Sequence, residues 1–218
     1  PYPDYAPLPA LEGDTDLLPT PEEAKELRDS YTTASFEGAL VIDSTGRPQN
    51  PIGRTGLEGK GKMYYWGPNK AADPILIHQS NEGSLEVLLI QRADNTWAFP
   101  GGFVDKKEDS KTAAFRELCE EAIENGELLK QNFMSESTLI FEGYTADGRN
   151  TDNAWIETSA HTLTIDTDTK EQLKIKARDD AQDVDWKKIT PELLTTLYSA
   201  HGGIVALLIS TYTTSPPR

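Results

Sequence analysis

Three glutamates, Glu117, Glu120 and Glu121, stand at spacings i, i+3 and i+4. On a helix their carboxylates crowd one face, while Ala114, Phe115, Leu118, Cys119 and Ala122 form the opposing apolar one. Each like-charged pair on an exposed helix costs roughly a few tenths of a kcal/mol, so something positive should offset the cluster. Oxygen-rich, carboxylate-dominated clusters suit hard cations, and Mg²⁺ binds through a few carboxylates plus waters and substrate phosphates. A solvated acidic face is the ordinary meaning of a charge run. Here the run follows Gly101-Gly102, which lets backbone approach a ligand closely, and Arg116 is placed to reach back toward Glu108 and lock the loop onto the helix.

These residues need a scaffold. Ser110 to Glu124 reads as a helix, expected to run almost one turn past the carboxylates and stop at Asn125-Gly126. Ahead of it, PILIHQ and Leu85 to Ile90 read as two strands around a polar turn at Asn81-Glu82-Gly83. After it, Leu139 to Tyr144, Ala154 to Leu163 and Val184 to Trp186 read as strands. Two helices close the chain, one from Pro191 capped by Thr190 and one from about Gly203. Residues 46–74 are dense in glycine and proline and are expected to be loop, ending where a strand begins near Asp73. Residues 1 to about 35 read as an extended arm with one short helical candidate from Thr20-Pro21-Glu22-Glu23. Strands with interspersed helices favour an α/β or α+β sandwich.

Bulk properties narrow the function. The 218 residues carry a net charge of −15, which repels nucleic-acid backbones and anionic membranes, so no nucleic acid and no direct membrane contact is expected. An anionic substrate would then need a metal to mediate. The longest apolar run, near Gly202 to Ile209, is far short of the ~20 residues of a membrane span. The single cysteine, Cys119, allows no internal disulfide and suits a reducing intracellular compartment. The chain opens at Pro1 without methionine or leader, so its start reads as a processing site or a cut from a longer protein.

The spacing G-x5-E-x7-R-E-U-x-E-E, with U apolar, fixes seven positions from Gly102 to Glu121. It resembles the Nudix box, here 102–124. The box usually continues with a glycine and an apolar residue, whereas Ile123 and Glu124 stand there. Further stretches narrow the resemblance to the ADP-ribose pyrophosphatase branch, which includes the Nudix-like C-terminal domain of ADP-ribose-gated melastatin-type TRP channels. They are Arg54-Thr55-Gly56-Leu57 through Trp66-Gly67-Pro68-Asn69, Trp97 to Gly102, Arg149-Asn150-Thr151-Asp152-Asn153-Ala154-Trp155, and Asp179-Asp180-Ala181 with Val184 and Trp186.

That resemblance implies a Nudix α/β/α sandwich with a mixed sheet, a Nudix domain over 61–218 and a smaller N-terminal arm or cap region over 1–60. It implies Mg²⁺-dependent hydrolysis of ADP-ribose to AMP and ribose 5-phosphate, with Mn²⁺ as a substitute. The expected metal ligands are Glu117, Glu120, Glu121 and the Gly101 carbonyl, and the expected catalytic set is Glu120, Glu121, Arg116 and Glu108. Glu120 or Glu121 is the first choice of general base, with Asp179 or Asp180 second. Ligand contacts are implied for Arg54, Asp73, Gly102, Asp147, Arg149, Asp152, Asn153, Leu197 and His201. Asp152 and Asn153 also read as turn residues, and His201 alone as a surface histidine at a helix end. Arg47 and Arg54 read either as phosphate contacts or as surface ion pairs, and the four tryptophans as packing.

One alternative is an ADP-ribose sensor attached to a channel subunit, with or without hydrolysis, on the cytoplasmic side of its membrane. A free enzyme would be cytoplasmic or mitochondrial. A third reading is a Nudix enzyme for another nucleotide, such as a dinucleoside polyphosphate.

Overall fold

The computed structural model describes residues 35–44, 46–179, 181–198 and 201–214, with side chains as far as 209. The helical candidate near Thr20 and the second-choice base Asp180 lie outside these residues. In chain order the elements are β1 (Val41–Ile42), β2 (Pro48–Gln49), β3 (Gly67–Gln79), β4 (Leu85–Gln91), β5 (Trp97–Ala98) and β6 (Gly102–Phe103). Then come α1 (Ser110–Glu121), α2 (Glu127–Glu136), β7 (Thr138–Tyr144), β8 (Ala154–Ile165), α3 (Thr167–Gln172), β9 (Asp183–Lys188), α4 (Pro191–Thr196) and α5 (His201–Thr214). Two compact units result: Pro1–Lys70 with Gly143–Glu157, and Ala71–Glu142 with Thr158–Arg218.

A seven-stranded sheet runs β5-β4-β3-β8-β7, with β6 also on β3 and β9 also on β4. β3 and β4 pair antiparallel with Ile77 opposite Val87, and β4 and β9 with Leu88 opposite Trp186. Both central strands are apolar at both parities, so both faces of the sheet need cover. Leu76, Leu88 and Ile90 pack with Ala114, Leu118 and Ala122 at α1 and with Leu129 and Phe133 of α2. Ile75, Ile77, Val87 and Leu89 pack on the other side with Leu197 and with Ile204, Val205 and Leu208 of α5. Each fully buried aliphatic side chain contributes about 1.5–3 kcal/mol. The outcome is a sheet with helices on both faces, the expected α/β/α arrangement.

Two boundaries differ from the sequence reading. β3 begins at Gly67 rather than near Asp73, because Ala71 and Ala72 pair with Phe103 and Gly102 of β6. α1 ends at Glu121, not past Glu124: Ala122 caps it, and Ile123 leaves the helix to bridge Ile175. Two main-chain bonds fix that exit, Glu124 N to Lys174 O and Lys176 N to Ala122 O, both 2.9 Å. Gly126 then starts α2 instead of stopping α1. A Cβ there would run into the Cys119 sulfur, so the glycine serves close packing. Among the described residues no helix is long and apolar enough to cross a membrane.

The first unit is held by the loop 149–153. Thr151 Oγ1 donates to Gly59 O, Asn153 Oδ1 accepts from Gly59 N at 2.8 Å, and Asn153 Nδ2 donates to Pro48 O at 2.9 Å. These bonds organise the glycine-rich stretch that has little regular structure of its own.

Candidate active site

α1 starts at the Asp109 cap, whose side chain accepts from Thr112 N at 2.8 Å. This fixes the helix one residue after Glu108. The turn before it holds Lys107 at φ +73°. From the second turn Arg116 reaches back as expected: Nε lies 3.1 Å from Glu108 Oε1 and Nη2 3.0 Å from Glu108 Oε2. The same guanidinium donates from Nη2 to Phe103 O at 3.0 Å, and from Nη1 to Glu117 Oε1 at 2.6 Å and Glu120 Oε2 at 2.9 Å. One cation thus holds three carboxylates and a carbonyl, tying the glycine loop to the helix.

Glu117 and Glu121 are buried, whereas Glu120 is exposed. Glu121 Oε2 accepts from Gly101 N at 2.8 Å. A Cβ at Gly102 would collide with the Glu117 carboxylate, and one at Gly101 with the Asp73 carboxylate. The two glycines therefore let backbone and carboxylates meet at distances no other residue allows. Asp73, at the middle of β3, is itself buried and accepts from Thr158 Oγ1 at 2.7 Å.

The electrostatics separate these groups. The Arg116 fork holds Glu108 below the usual carboxylate range. Bonds to Glu108 first, then to Glu117 and Glu120, keep Arg116 firmly charged against its partial burial. Burial pushes Glu117 up, more than Arg116 pulls it down. Burial likewise raises Asp73, against the charge of His201 and the Thr158 hydrogen bond. Negative charge on Glu117 and Asp73 is under-compensated, and the donors at hand are all oxygens, the set that suits a hard divalent cation. Among the described residues no three acidic, histidine or cysteine side chains are gathered closely enough to hold a metal. Glu117 and Glu120 turn to Arg116, and Glu121 to Gly101. Cation binding would use this same donor set once the carboxylates turn from those partners.

His201 is not a surface residue. It is 7% exposed, its Nδ1 accepts from Phe99 N at 3.1 Å, and its ring stacks on Phe99 at 4.7 Å. Leu197 is buried and bridges Trp97. The first turn of α5 is thereby pinned to the strand that leads into Gly101. Sequence reading missed Phe99, Phe103 and Thr158 as partners of the site. The first two act through main-chain atoms and leave no side-chain signal.

The remaining expected contacts lie in the first unit. Arg149 forks onto Asp147, with Nε to Oδ1 at 2.8 Å and Nη2 to Oδ2 at 2.9 Å. Asp152 accepts from Arg54 Nε at 3.0 Å and from Gly56 N and Thr55 Oγ1, also at 3.0 Å. Asp152 and Asn153 thus spend their side chains on the loop, as their turn-residue reading expects. Arg54 forms the ion-pair alternative, also reaching Glu58 at 3.4 Å. Arg47 lies over the Trp66 ring at 5.2 Å, and Trp155 is fully buried.

A NUDIX-domain family model matches residues 68–208, and a model described as NUDT9-like, N-terminal domain, matches 2–67. The mitochondrial ADP-ribose pyrophosphatase of Rattus norvegicus is 36% identical over 207 residues, covering 83% of this chain and 59% of that protein. The transient receptor potential cation channel subfamily M member-like 2 of Nematostella vectensis is 33% identical over 242 residues, covering 94% of this chain and 15% of the channel. The chain thus spans less than two thirds of either relative. A MutT/nudix family protein from Enterococcus faecalis shares the fold, with a TM-score of 0.51 at 22% identity over 69% of this chain and 64% of that one. A loop locked to an acidic helix by one arginine, set on a two-faced sheet, is what that family match describes: the chain belongs to the Nudix family.

Proposed function

We propose that this protein hydrolyses the diphosphate of ADP-ribose to AMP and ribose 5-phosphate, with Mg²⁺ as the divalent cation and Mn²⁺ able to replace it. The observation that carries the reading is the complete carboxylate set on α1, with Glu108 and Arg116 clamping the loop that holds Gly101 and Gly102. The similarity to the rat pyrophosphatase supplies the substrate.

Glu117, Glu120 and Glu121, with the Gly101 carbonyl, would hold the cation. Bound there, it neutralises the diphosphate and lowers the pKa of an attacking water. The protein's own residues then have distinct tasks. Arg116 fixes Glu108, Glu117 and Glu120 in one arrangement. Glu120 or Glu121 takes the proton of the water as its oxygen bonds to phosphorus and the bridging P–O bond breaks, leaving one phosphate on each product. Leu197 and His201 stand at the adenosine end, and Asp147 and Arg149 are the candidates for the phosphate and ribose portion.

A second reading rests on the match to the Nematostella channel, which spans nearly all of this chain. It makes the domain an ADP-ribose sensor at the cytoplasmic side of a channel. The complete REUxEE sequence favours hydrolysis in that setting also.

Product analysis over a panel of ADP-ribose, dinucleoside polyphosphates and nucleotide sugars decides among these. Equal release of AMP and ribose 5-phosphate from ADP-ribose, abolished by chelator and restored by Mg²⁺, is expected. Saturable ADP-ribose binding without products would leave only the sensor, and preferential cleavage of another nucleotide would overturn the substrate.

A further inference from the structure

Arg92 has no part in the chemistry above. It follows β4, where Arg92 N donates to Thr96 O and Asn95 N to Arg92 O, both at 2.9 Å. Its guanidinium carbon lies 4.2 Å from the centre of the Tyr198 ring, so the cation rests on the ring. Its Nε is shut off from solvent without a hydrogen-bond partner. None of the ion pairs among the described residues includes it. Asp94 feels its charge, but commits Oδ1 to Thr96 N and Oγ1. In a chain of net charge −15, an arginine left without a carboxylate is unusual, and a buried donor without an acceptor is destabilising.

The ring beneath it belongs to the site. Tyr198 N donates to Trp97 O at 2.9 Å, and the Tyr198 ring meets His201 edge-on at 6.1 Å. His201 stacks on Phe99, two residues before the Gly101 amide that binds Glu121. Arg92 and Tyr198 thus terminate a row of rings that begins at the carboxylate helix.

We infer that Arg92, layered on Tyr198, binds the nucleoside monophosphate half of the substrate, its N–H groups donating to the phosphoryl or ribosyl oxygens of that half. The planar fork matches such oxygens, and the Arg92–Tyr198 layer offers a flat surface beside them for a base. The inference rests on the proposed ADP-ribose reading, since that substrate supplies the AMP half.

Calorimetric titration of AMP and, separately, ribose 5-phosphate into wild type, Arg92→Gln, Arg92→Lys and Tyr198→Phe, with Mg²⁺ present, tests it alongside steady-state kinetics. Arg92→Gln is expected to weaken AMP binding about 10- to 100-fold and to raise KM for ADP-ribose similarly, with kcat and ribose 5-phosphate binding little changed. Arg92→Lys falls between, and Tyr198→Phe, which keeps the ring, stays near wild type. Thermal melts accompany each variant; if Arg92→Gln unfolds, Arg92→Lys carries the test. AMP affinity within about twofold of wild type, or a loss confined to ribose 5-phosphate, overturns the inference. Wild type that binds AMP but cleaves no ADP-ribose would defeat the functional reading alone, and the AMP titration would still decide Arg92.

Discussion

Two regions of this molecule bury carboxylates, and they treat them in opposite ways. In the first unit, Glu157 is fully buried and receives Ser35 Oγ, Phe36 N, Lys70 Nζ and Trp155 Nε1. Burial alone would raise its pKa, yet those four donors together bring it below the usual range. Glu117 and Asp73, in the second unit, have fewer donors, and burial wins. A carboxylate whose lone pairs are all met is architecture, and its burial fixes where residues 35–36 meet strand β8. One whose burial outruns its donors keeps uncompensated charge that a divalent cation can use. Burial alone would not tell the two apart; the count of donors does.

That contrast can be broken most forcefully at Glu157. Glu157→Gln removes the charge opposite Lys70 and is expected to lose about 3–5 kcal/mol of stability by urea unfolding, with kcat unchanged for the protein that remains folded. A wild-type urea midpoint would sink the architectural half of the comparison. Next, Glu120→Gln combined with Glu121→Gln should lower turnover of ADP-ribose by roughly 10²–10³-fold or more, because transition-state charge loses its counterpart. Its melting temperature should be unchanged or higher, since like charges are relieved and the amide oxygen introduced beside Gly101 can still accept from Gly101 N. Unchanged turnover would end the proposed mechanism.

The smallest effect sharpens the comparison through pH. With no divalent cation added, Glu117 and Asp73 are raised in the folded chain, so between the ordinary carboxylate range and their raised values the folded state binds more protons than the unfolded. Stability from these two therefore rises as pH falls into that window. Glu157 and Glu108 are depressed, so their contribution is present above the ordinary range and is lost as pH falls through their lowered values. The melting temperature should peak at mildly acidic pH. Glu117→Gln should flatten the rise on the neutral side of that peak by about 2–4 °C, and Mg²⁺ should move the peak toward neutrality. A profile indifferent to both changes would contradict the charge reserve assigned to Glu117.

The sequence disclosed what is local. The Glu108–Arg116 fork was legible because eight residues of loop and helix determine it, and the two-faced sheet because β3 and β4 are apolar at both parities. The start of β3 at Gly67 was not, because Gly-Pro-Asn reads as loop until strands elsewhere in the sheet pair with it. α2 was missed: it begins at Gly126 without a side-chain cap and buries only Leu129 and Phe133. The early end of α1 depends on Ile175, and the burial of His201 on the backbone of Phe99, both far away in sequence. Propensity had no access to either.

The first unit is discontinuous in the chain, and this bears on how the protein can be cut. The family match begins at residue 68, yet residues 143–157 belong with the segment before it. A fragment expressed from 68 onward would keep Asp152, Asn153 and Glu157 while discarding Pro48, Arg54, Thr55, Gly56, Gly59 and Ser35, whose groups they hold. The boundary that suits sequence comparison is thus the wrong place for scissors: the two segments of this unit must be inherited, transplanted or deleted together.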